Sequence, residues 1–464
     1  MLTRTHIGSI KKATVMASAV NDTTKGQFKF FFQRRFLPFF ITQFLGAFND
    51  NLFKNSLLVI VVSSAVVGSD SSTNFTTNLA AGLFILPYFL FSTTAGLLAD
   101  KYDKALLVQR IKIAEIIIML AGCYALWSLN ITLMLGILFC LGTQSSFFGP
   151  IKYSIIPQHL DSSELLGANA QVGMGTFVSI LLGTLIGGWI VTIEQGPLWV
   201  GALTVAVAIV GWLSSREIPP APSADTDITI SLNPIAEARQ NFRLAKKDPT
   251  VFYCILANSW FWLYGGSFLT QVPNFAVTIL NGHPTLITIL LAAFIIGVAI
   301  GSLLCTKLSG GEVEPGIIPL GAIGLTVFAM DLFFSSNAFQ LANAGVSSVL
   351  PLQFFGLTGS LRVTFDLMFI GLFGGLYIVP LFSMIQQRSA SGVRARVLSV
   401  NNICNAFYMV IGSIIGIICL SGLGWSIPEF FFGIAVMNIL FTGFIFYQVP
   451  EFLQRFKIWA LSLV

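Results

Sequence analysis

FLPFFITQFLGAFNDNLFKNSLLVIVVSSAVV, residues 36–67, is long and apolar enough to cross a bilayer, yet Asn49, Asp50, Asn51, Lys54 and Asn55 stand in its middle. A charge at membrane depth costs about 3 kcal/mol on insertion scales, so such a residue usually faces a partner or a wet cavity. The stretch therefore gives both the fold class, a helix crossing a membrane, and a candidate functional position. Asp50 and Lys54 are four residues apart, on one helix face, where they could pair.

The rest of the chain agrees. Of 464 residues, 55% are hydrophobic and only 10% charged, against about 25% charged in a soluble domain. Only helices and closed barrels span membranes. The apolar runs here are about 20 residues long without alternation, which predicts helices. The six cysteines lie in or beside apolar runs with no C-x-x-C pair, so they are expected as buried thiols. The three histidines are scattered. No metal, cofactor or nucleic-acid partner is expected, and the chain is expected to be a monomer. Residues 1–35 are polar and basic, unlike a signal peptide, and are expected to form a cytoplasmic arm.

Twelve apolar segments follow: 36–67, 76–98, 104–127, 131–152, 167–191, 197–214, 250–280, 285–307, 315–336, 365–388, 396–420 and 426–449. Residues 215–249, with Pro219, Pro220 and Pro222 and then Arg239, Arg243, Lys246 and Lys247, differ in composition. They predict a cytoplasmic linker between a six-helix bundle at 36–214 and another at 250–449. Residues 450–464 are expected to form an amphipathic cytoplasmic tail. Lys101, Lys104, the linker cluster, Lys307, Arg388, Arg394, Arg396, Arg455 and Lys457 fall on one side and only Arg362 on the other. That bias predicts both termini inside.

The halves echo each other. FFGPIKYSIIPQHL (147–160) and GGLYIVPLFSMIQQR (374–388) each close a helix, and an Asn-bearing helix with a G-x-x-x-G pair follows, Gly183/Gly187 or Gly412/Gly416. Such pairs let helices approach closely. Between the second and third segments runs G-L-L-A-D-K-Y-D-K, Gly96 to Lys104. It resembles the major facilitator loop motif G-x-x-x-D-[RK]-x-G-[RK], with Asp103 in place of the second glycine. Gly96 would permit tight packing, and Asp100 would face a helix N-terminus or a basic partner. Two parallel six-helix repeats are the plan of that superfamily, with a central site exposed alternately to either side. The resemblance implies a latch, formed by Gly96, Asp100, Lys101 and Lys104 with Arg394 and Arg396, that stabilises the outward-open state.

FLPFFITQFLGAFNDNLFKN (36–55), FFGPIKYSIIPQHL with ELLGANAQV (164–172), and GGLYIVPLFSMIQQRS with RARVLSVNNICNA (394–406) together resemble the lysophospholipid transporter family within that superfamily. The likeness is to the version found in bacterial transporter–acyltransferase fusions. It implies movement of lysophospholipids, chiefly lysophosphatidylethanolamine, from the outer to the inner leaflet of the bacterial inner membrane, before an acyltransferase restores the second chain. PEFLQRFKIWALSLV (450–464) resembles the link into such an acyltransferase, which is expected as a separate or fused partner. An acid in the first helix and the lysine of the K-Y motif belong to the headgroup path in that family. Asp50 and Lys152 fall on those positions.

Flipping such a lipid requires a polar cleft across about 30 Å of hydrocarbon. Candidate contacts are Asp50 for the amine and Lys152 for the phosphate, with Asn49, Asn51, Lys54, Tyr153, Asn169, Gln271, Asn401 and Asn402 as polar neighbours. Bland readings stand beside these. Asp50 could be a structural partner of Lys54 or a proton carrier, Lys152 could snorkel to cytoplasmic phosphates, and the asparagines could be interhelical glue. Lys112 and Glu115 are expected to pair internally, and Asp331 and Asp366 to be wet at helix ends.

Two other functions fit the same residues, a proton-coupled transporter of a small polar or amphipathic solute and a membrane anchor for an acyltransferase. An enzyme is not expected. The chain has no P-loop, no G-x-S-x-G, no H-x-x-x-x-D and no soluble stretch long enough to bury a catalytic core.

Overall fold

The computed structural model describes residues 28–65, 70–228, 233–346 and 348–462. Most of the expected N-terminal arm therefore lies outside the described residues. Twelve long helices follow in order: α1 (Leu37–Ala65), α2 (Asp70–Lys101), α3 (Lys104–Trp127), α4 (Ile131–Ser154), α5 (Leu165–Ile190), α6 (Gly196–Ser215), α7 (Pro249–Asn274), α8 (Thr285–Leu308), α9 (Ile317–Ala342), α10 (Ser360–Arg388), α11 (Arg394–Gly416) and α12 (Ile427–Gln448). The chain is an all-α, multi-pass integral membrane protein. Among the described residues, nine of these helices are long and apolar enough to cross a membrane by length and composition alone. The remaining three are α1, α3 and α7. Two of them have an evident reason, since α1 carries Asp50 and Lys54, and α3 carries Lys104, Arg110, Lys112 and Glu115.

Local chemistry sets the helix ends. Asp248 accepts hydrogen bonds from the Thr250 and Val251 amides with Pro249 at the first turn of α7, and Ser426 with Glu429 forms a capping box on α12. Both satisfy amides that a helix leaves unpaired. A linker helix (Pro234–Ala245) and a tail helix (Glu451–Ser462) lie outside the twelve.

α1–α6 pack as one group and α7–α12 as another. The groups touch through α2 with α11, α5 with α8, α4 with α11 and α5 with α10. Close approach at Gly183 and Gly187 lets α1 lie against α5. A Cβ there would stand 2.4 Å from the Phe48 carbonyl oxygen and 2.5 Å from that of Leu52. The second group achieves the same closeness elsewhere. Its tight contact is α8 on α10, where a Cβ on Gly301 or Gly371 would fall 1.9 Å from the Leu372 carbonyl oxygen or 2.0 Å from that of Phe294. Gly412 and Gly416 meet nothing nearer than 3.1 Å. The second G-x-x-x-G pair is therefore not the close-packing seam that its counterpart is.

The ends of α2, α4, α6, α8, α10 and α12 and the starts of the odd-numbered helices share one side, here called the terminal face. There, the linker and the tail play matching parts. Asp103 accepts from the Ala221 amide, and the Asp100 carbonyl accepts from the Ala224 and Asp225 amides, which ties the linker to the α2–α3 turn. The tail helix ties the α8–α9 turn: Arg455 pairs with Glu314, and the Trp459 indole N–H donates to the Leu308 carbonyl at 2.8 Å. Asp103 has φ −58° and caps α3 through the Leu106 amide. The turn needs no left-handed residue there, so an acid takes the place of the motif's glycine and gains two hydrogen bonds.

Inside the first group, Lys112 and Glu115 form a 2.6 Å ion pair with side chains 1% and 0% exposed, the pairing their i, i+3 spacing predicts. Asp366 departs from expectation. It is 2% exposed and accepts from the Ser335 hydroxyl at 2.6 Å, while Asp331 pairs with Arg362. Only Asp331 is wet. The α9–α10 packing covers its neighbour, which spacing along one helix does not reveal.

Removing one partner of a buried pair strands the other charge at a cost of about 3–5 kcal/mol. Glu115→Leu should therefore destabilise the protein in detergent by about 3 kcal/mol, read as thermal unfolding. The double change Lys112→Met with Glu115→Leu should be milder than Glu115→Leu alone.

Candidate functional site

Four layers rise from the terminal face between and beside the two groups. The outermost is the α2–α11 contact. Asp100, fully buried, accepts from the Ala395 amide through Oδ1 at 3.1 Å and from the Arg396 amide through Oδ2 at 3.1 Å. The Arg396 Nε–H also donates to Oδ2, at 3.2 Å. A carboxylate thus caps the positive N-terminal end of α11 from another helix, where unpaired amides and the helix dipole favour an anion. Gly96 makes the approach possible, since a Cβ there would meet Ser399 Cβ at 2.7 Å and the Ala395 carbonyl oxygen at 2.9 Å. Arg396 also donates to the Gly392 carbonyl, Lys101 to Ile228 and Arg394 to Ser389. Lys104 is buried, and its amide donates to the Ala221 carbonyl. Asn241 of the linker helix donates to the Ser399 hydroxyl at 3.2 Å, so the linker braces the same contact.

The second layer joins α4 and α5 to α10. The Asn169 and Gln386 amides bond reciprocally, at 2.6 Å and 3.0 Å, and Asn169 also donates to the Ser383 hydroxyl. Gln386 donates to the Tyr153 carbonyl, and the Tyr153 ring stacks on Phe382 with centroids 4.0 Å apart. Asn402 of α11 packs against Gly149 of α4 with an unpartnered Nδ2.

Above this seal stands Lys152. Its ammonium donates to the Thr176 hydroxyl at 2.7 Å and lies 5.4 Å from the Tyr153 ring centroid. Thr176 in turn donates to Gln43 Oε1 at 3.1 Å. Lys152 makes no salt bridge among the described residues. Beyond Thr176 is a space of about 20 Å³ that Lys152 itself does not line, bounded by Tyr153, Asn169, Thr176 and Phe177 of the first group and Trp262, Ile378 and Phe382 of the second. That holds a water and nothing larger.

The fourth layer is internal to the first group. Asp50 is 7% exposed; its Oδ2 accepts from the Ser145 hydroxyl at 2.5 Å and its Oδ1 has no partner. Ser145 also contacts Gln144, Gln144 donates to Glu115 at 3.0 Å, and Asn49 donates to Glu115 at 3.0 Å. Asp50 and Lys112 thus end one continuous buried chain. Lys54 is not bonded to Asp50; its ammonium stands over the Phe84 ring at 5.5 Å. The i, i+4 spacing permits a pair, but Ser145 on α4 takes the carboxylate.

The remaining candidates lie apart. Asn51 bonds back to the Ala47 carbonyl on the α5-facing side of α1. Asn401 accepts from Asn258 at 2.6 Å within the second group, and Gln271 is half-buried toward the far end of α7. Sequence reading missed Gln43, Gln144, Ser145, Thr176, Phe382 and Gln386. Gln144–Ser145 gave a signal as polar residues at mid-depth of an apolar run, and Gln43, Phe382 and Gln386 lay in stretches quoted above without being singled out.

Residues 39–365 match the Major Facilitator Superfamily, and the chain belongs to that superfamily of transporters. Among curated proteins it is similar to "Lysophospholipid transporter LplT" of Enterobacter sp. (strain 638), 25% identical over 76% of this chain and 80% of that one. The protein of the same name from Serratia proteamaculans (strain 568) is 22% identical over 78% and 82%. Among solved structures, the major facilitator transporter FucP in the outward conformation superposes with a TM-score of 0.63, 14% identity, and coverage of 90% of this chain and 99% of that one. The proton:xylose symporter XylE gives 0.62 at 12% identity, over 89% and 96%. At those identities the structures establish the fold alone.

If Asp100 holds the start of α11, Asp100→Ala frees two amides. Hydrogen exchange across residues 391–400 should then quicken at least about tenfold, the equivalent of 1.4 kcal/mol of protection. Exchange unchanged from the parent protein would contradict the assignment.

Proposed function

We propose that this transporter moves lysophospholipids of the lysophosphatidylethanolamine type between bilayer leaflets, with Lys152 receiving the phosphate and Asp50 drawing the amine. One observation carries the reading. Among the described residues Lys152 is a cation without a carboxylate, one hydroxyl away from a small space whose second-group wall is aromatic and aliphatic. An ammonium held only by a hydroxyl and a ring face retains capacity for an anion. The facing Trp262, Ile378 and Phe382 suit a hydrocarbon chain. A largely apolar space with a cation one contact away fits a single-chain amphiphile better than a sugar, which needs polar contacts all round.

Asp50 lies inside the first group, and its unpartnered Oδ1 would take the amine as a second, cationic contact once the path opens to it. The space beyond Thr176 is too small for a headgroup, so this conformation is closed at the terminal face. Substrate would enter from the opposite side and pass once the Asp100 and Asn169–Gln386 contacts part. We read the terminal face as cytoplasmic from its excess of Lys and Arg. The membrane is then the bacterial inner membrane, with net movement toward its cytoplasmic leaflet. An acyltransferase, fused or separate, would consume the delivered lipid.

The same unpartnered carboxylate oxygen favours a second reading, proton-coupled uptake of a small solute with Asp50 as carrier. Abolition of transport by a protonophore, together with indifference to lysophospholipids, would support that alternative.

In vesicles holding the purified chain, labelled lysophosphatidylethanolamine should cross leaflets far faster than in protein-free vesicles. Lys152→Ala should slow it at least about tenfold, the loss of one charge-assisted hydrogen bond worth about 1.5–3 kcal/mol. Lys152→Arg should retain most of the rate, and Asp50→Asn should slow it. Full activity in Lys152→Ala would overturn the proposal.

A further inference from the structure

On the outer flank of the first group, away from the central layers, α2, α3 and α4 enclose a crevice of about 200 Å³. Ala95 and Leu98 of α2, Leu107 of α3, and Phe147 and Ile151 of α4 line it, with Arg110 of α3 as its one charged residue. The crevice opens on the membrane side of α3. Leu106, Ile113, Ile117, Leu120 and Tyr124 are all exposed, and their spacing of three, four and seven residues makes one stripe along the helix. Arg110, also exposed, lies on that stripe.

An arginine on such a stripe is costly unless an anion meets it. Arg110 makes no salt bridge or hydrogen bond with any described residue, and the other α3 charges are engaged inward, Lys112 with Glu115 at 2.6 Å. It stands six residues inside the start of α3, about 9 Å along the helix at 1.5 Å per residue. That is the depth at which a long side chain reaches the phosphate level of the leaflet on the terminal face. Basic pockets between spanning helices hold anionic headgroups in this way.

We propose that the α2–α3–α4 crevice binds an anionic phospholipid of the surrounding bilayer, its phosphate against the Arg110 guanidinium and one acyl chain in the apolar space below. A guanidinium at the mouth of an apolar slot matches both ends of such a molecule, whereas a soluble anion would leave the slot empty. The site is separate from Lys152 and does not depend on which solute the central path carries. Its two α2 residues flank Gly96, so the seated chain backs the helix segment that closes against α11.

Native mass spectrometry of the full chain tests this, after release from bilayers of phosphatidylethanolamine with a minor share of phosphatidylglycerol. The parent protein should retain phosphatidylglycerol. Arg110→Gln, which removes the cation, and Ala114→Trp, which fills the crevice from an exposed lining position, should each retain at least about fivefold less. Arg110→Lys should retain most of it. Both sites are exposed, and unchanged thermal unfolding confirms folded variants. Equal retention by all variants, or none by the parent, overturns the proposal. Loss in Arg110→Gln alone also overturns it, since a headgroup contact without a seated chain is then sufficient.

Discussion

A carboxylate with no exposure, Asp100, anchors the α2–α11 contact at the terminal face. It accepts two amides at the start of α11 and the Arg396 guanidinium, while its own backbone carbonyl holds the linker. An anion with no exposure keeps its place only while all these donors remain, because parting the helices strands it. Parting α2 from α11 would exchange all of these donors for water at once. The Asn169–Gln386 pair and the Tyr153–Phe382 stack add further contacts to the same seal.

The two groups are alike in plan and unlike in chemistry. Counting two residues on from Pro150 in α4 reaches Lys152, and two on from Pro380 in α10 reaches Phe382. Equivalent positions thus present a cation on one wall and an aromatic ring on the other. The first group also buries a polar chain from Asp50 through Ser145, Gln144 and Glu115 to Lys112. The second joins its helices through the uncharged Asn258–Asn401 and Trp260–Asn438 bonds and also buries Asp366 on the Ser335 hydroxyl.

Much of this was legible in the sequence, and the limits are physical. Helix number follows from apolar runs, because a bilayer forces one hydrophobic length on every span. The G-L-L-A-D motif pointed to the α2–α3 turn through residue type alone. What one strand of sequence cannot supply is which face of a helix meets which neighbour. Asp50 and Lys54 share a face, yet Ser145 of α4 takes the carboxylate. Asp366 falls near a helix end and is covered by α9. Gly412 and Gly416 copy the spacing of Gly183 and Gly187 but meet no backbone at the same range. Gln386 and Phe382, central to the seal, sit in a stretch that stood out as a whole, but nothing in it marked those two residues over their neighbours.

The most direct test is a structure of the full chain in a lipid bilayer with lysophosphatidylethanolamine present. Headgroup density within hydrogen-bond distance of the Lys152 ammonium, with the acyl chain along Trp262 and Phe382, is the predicted result. A lipid bound with its headgroup elsewhere, leaving Lys152 on Thr176 in every conformation captured, would contradict the account.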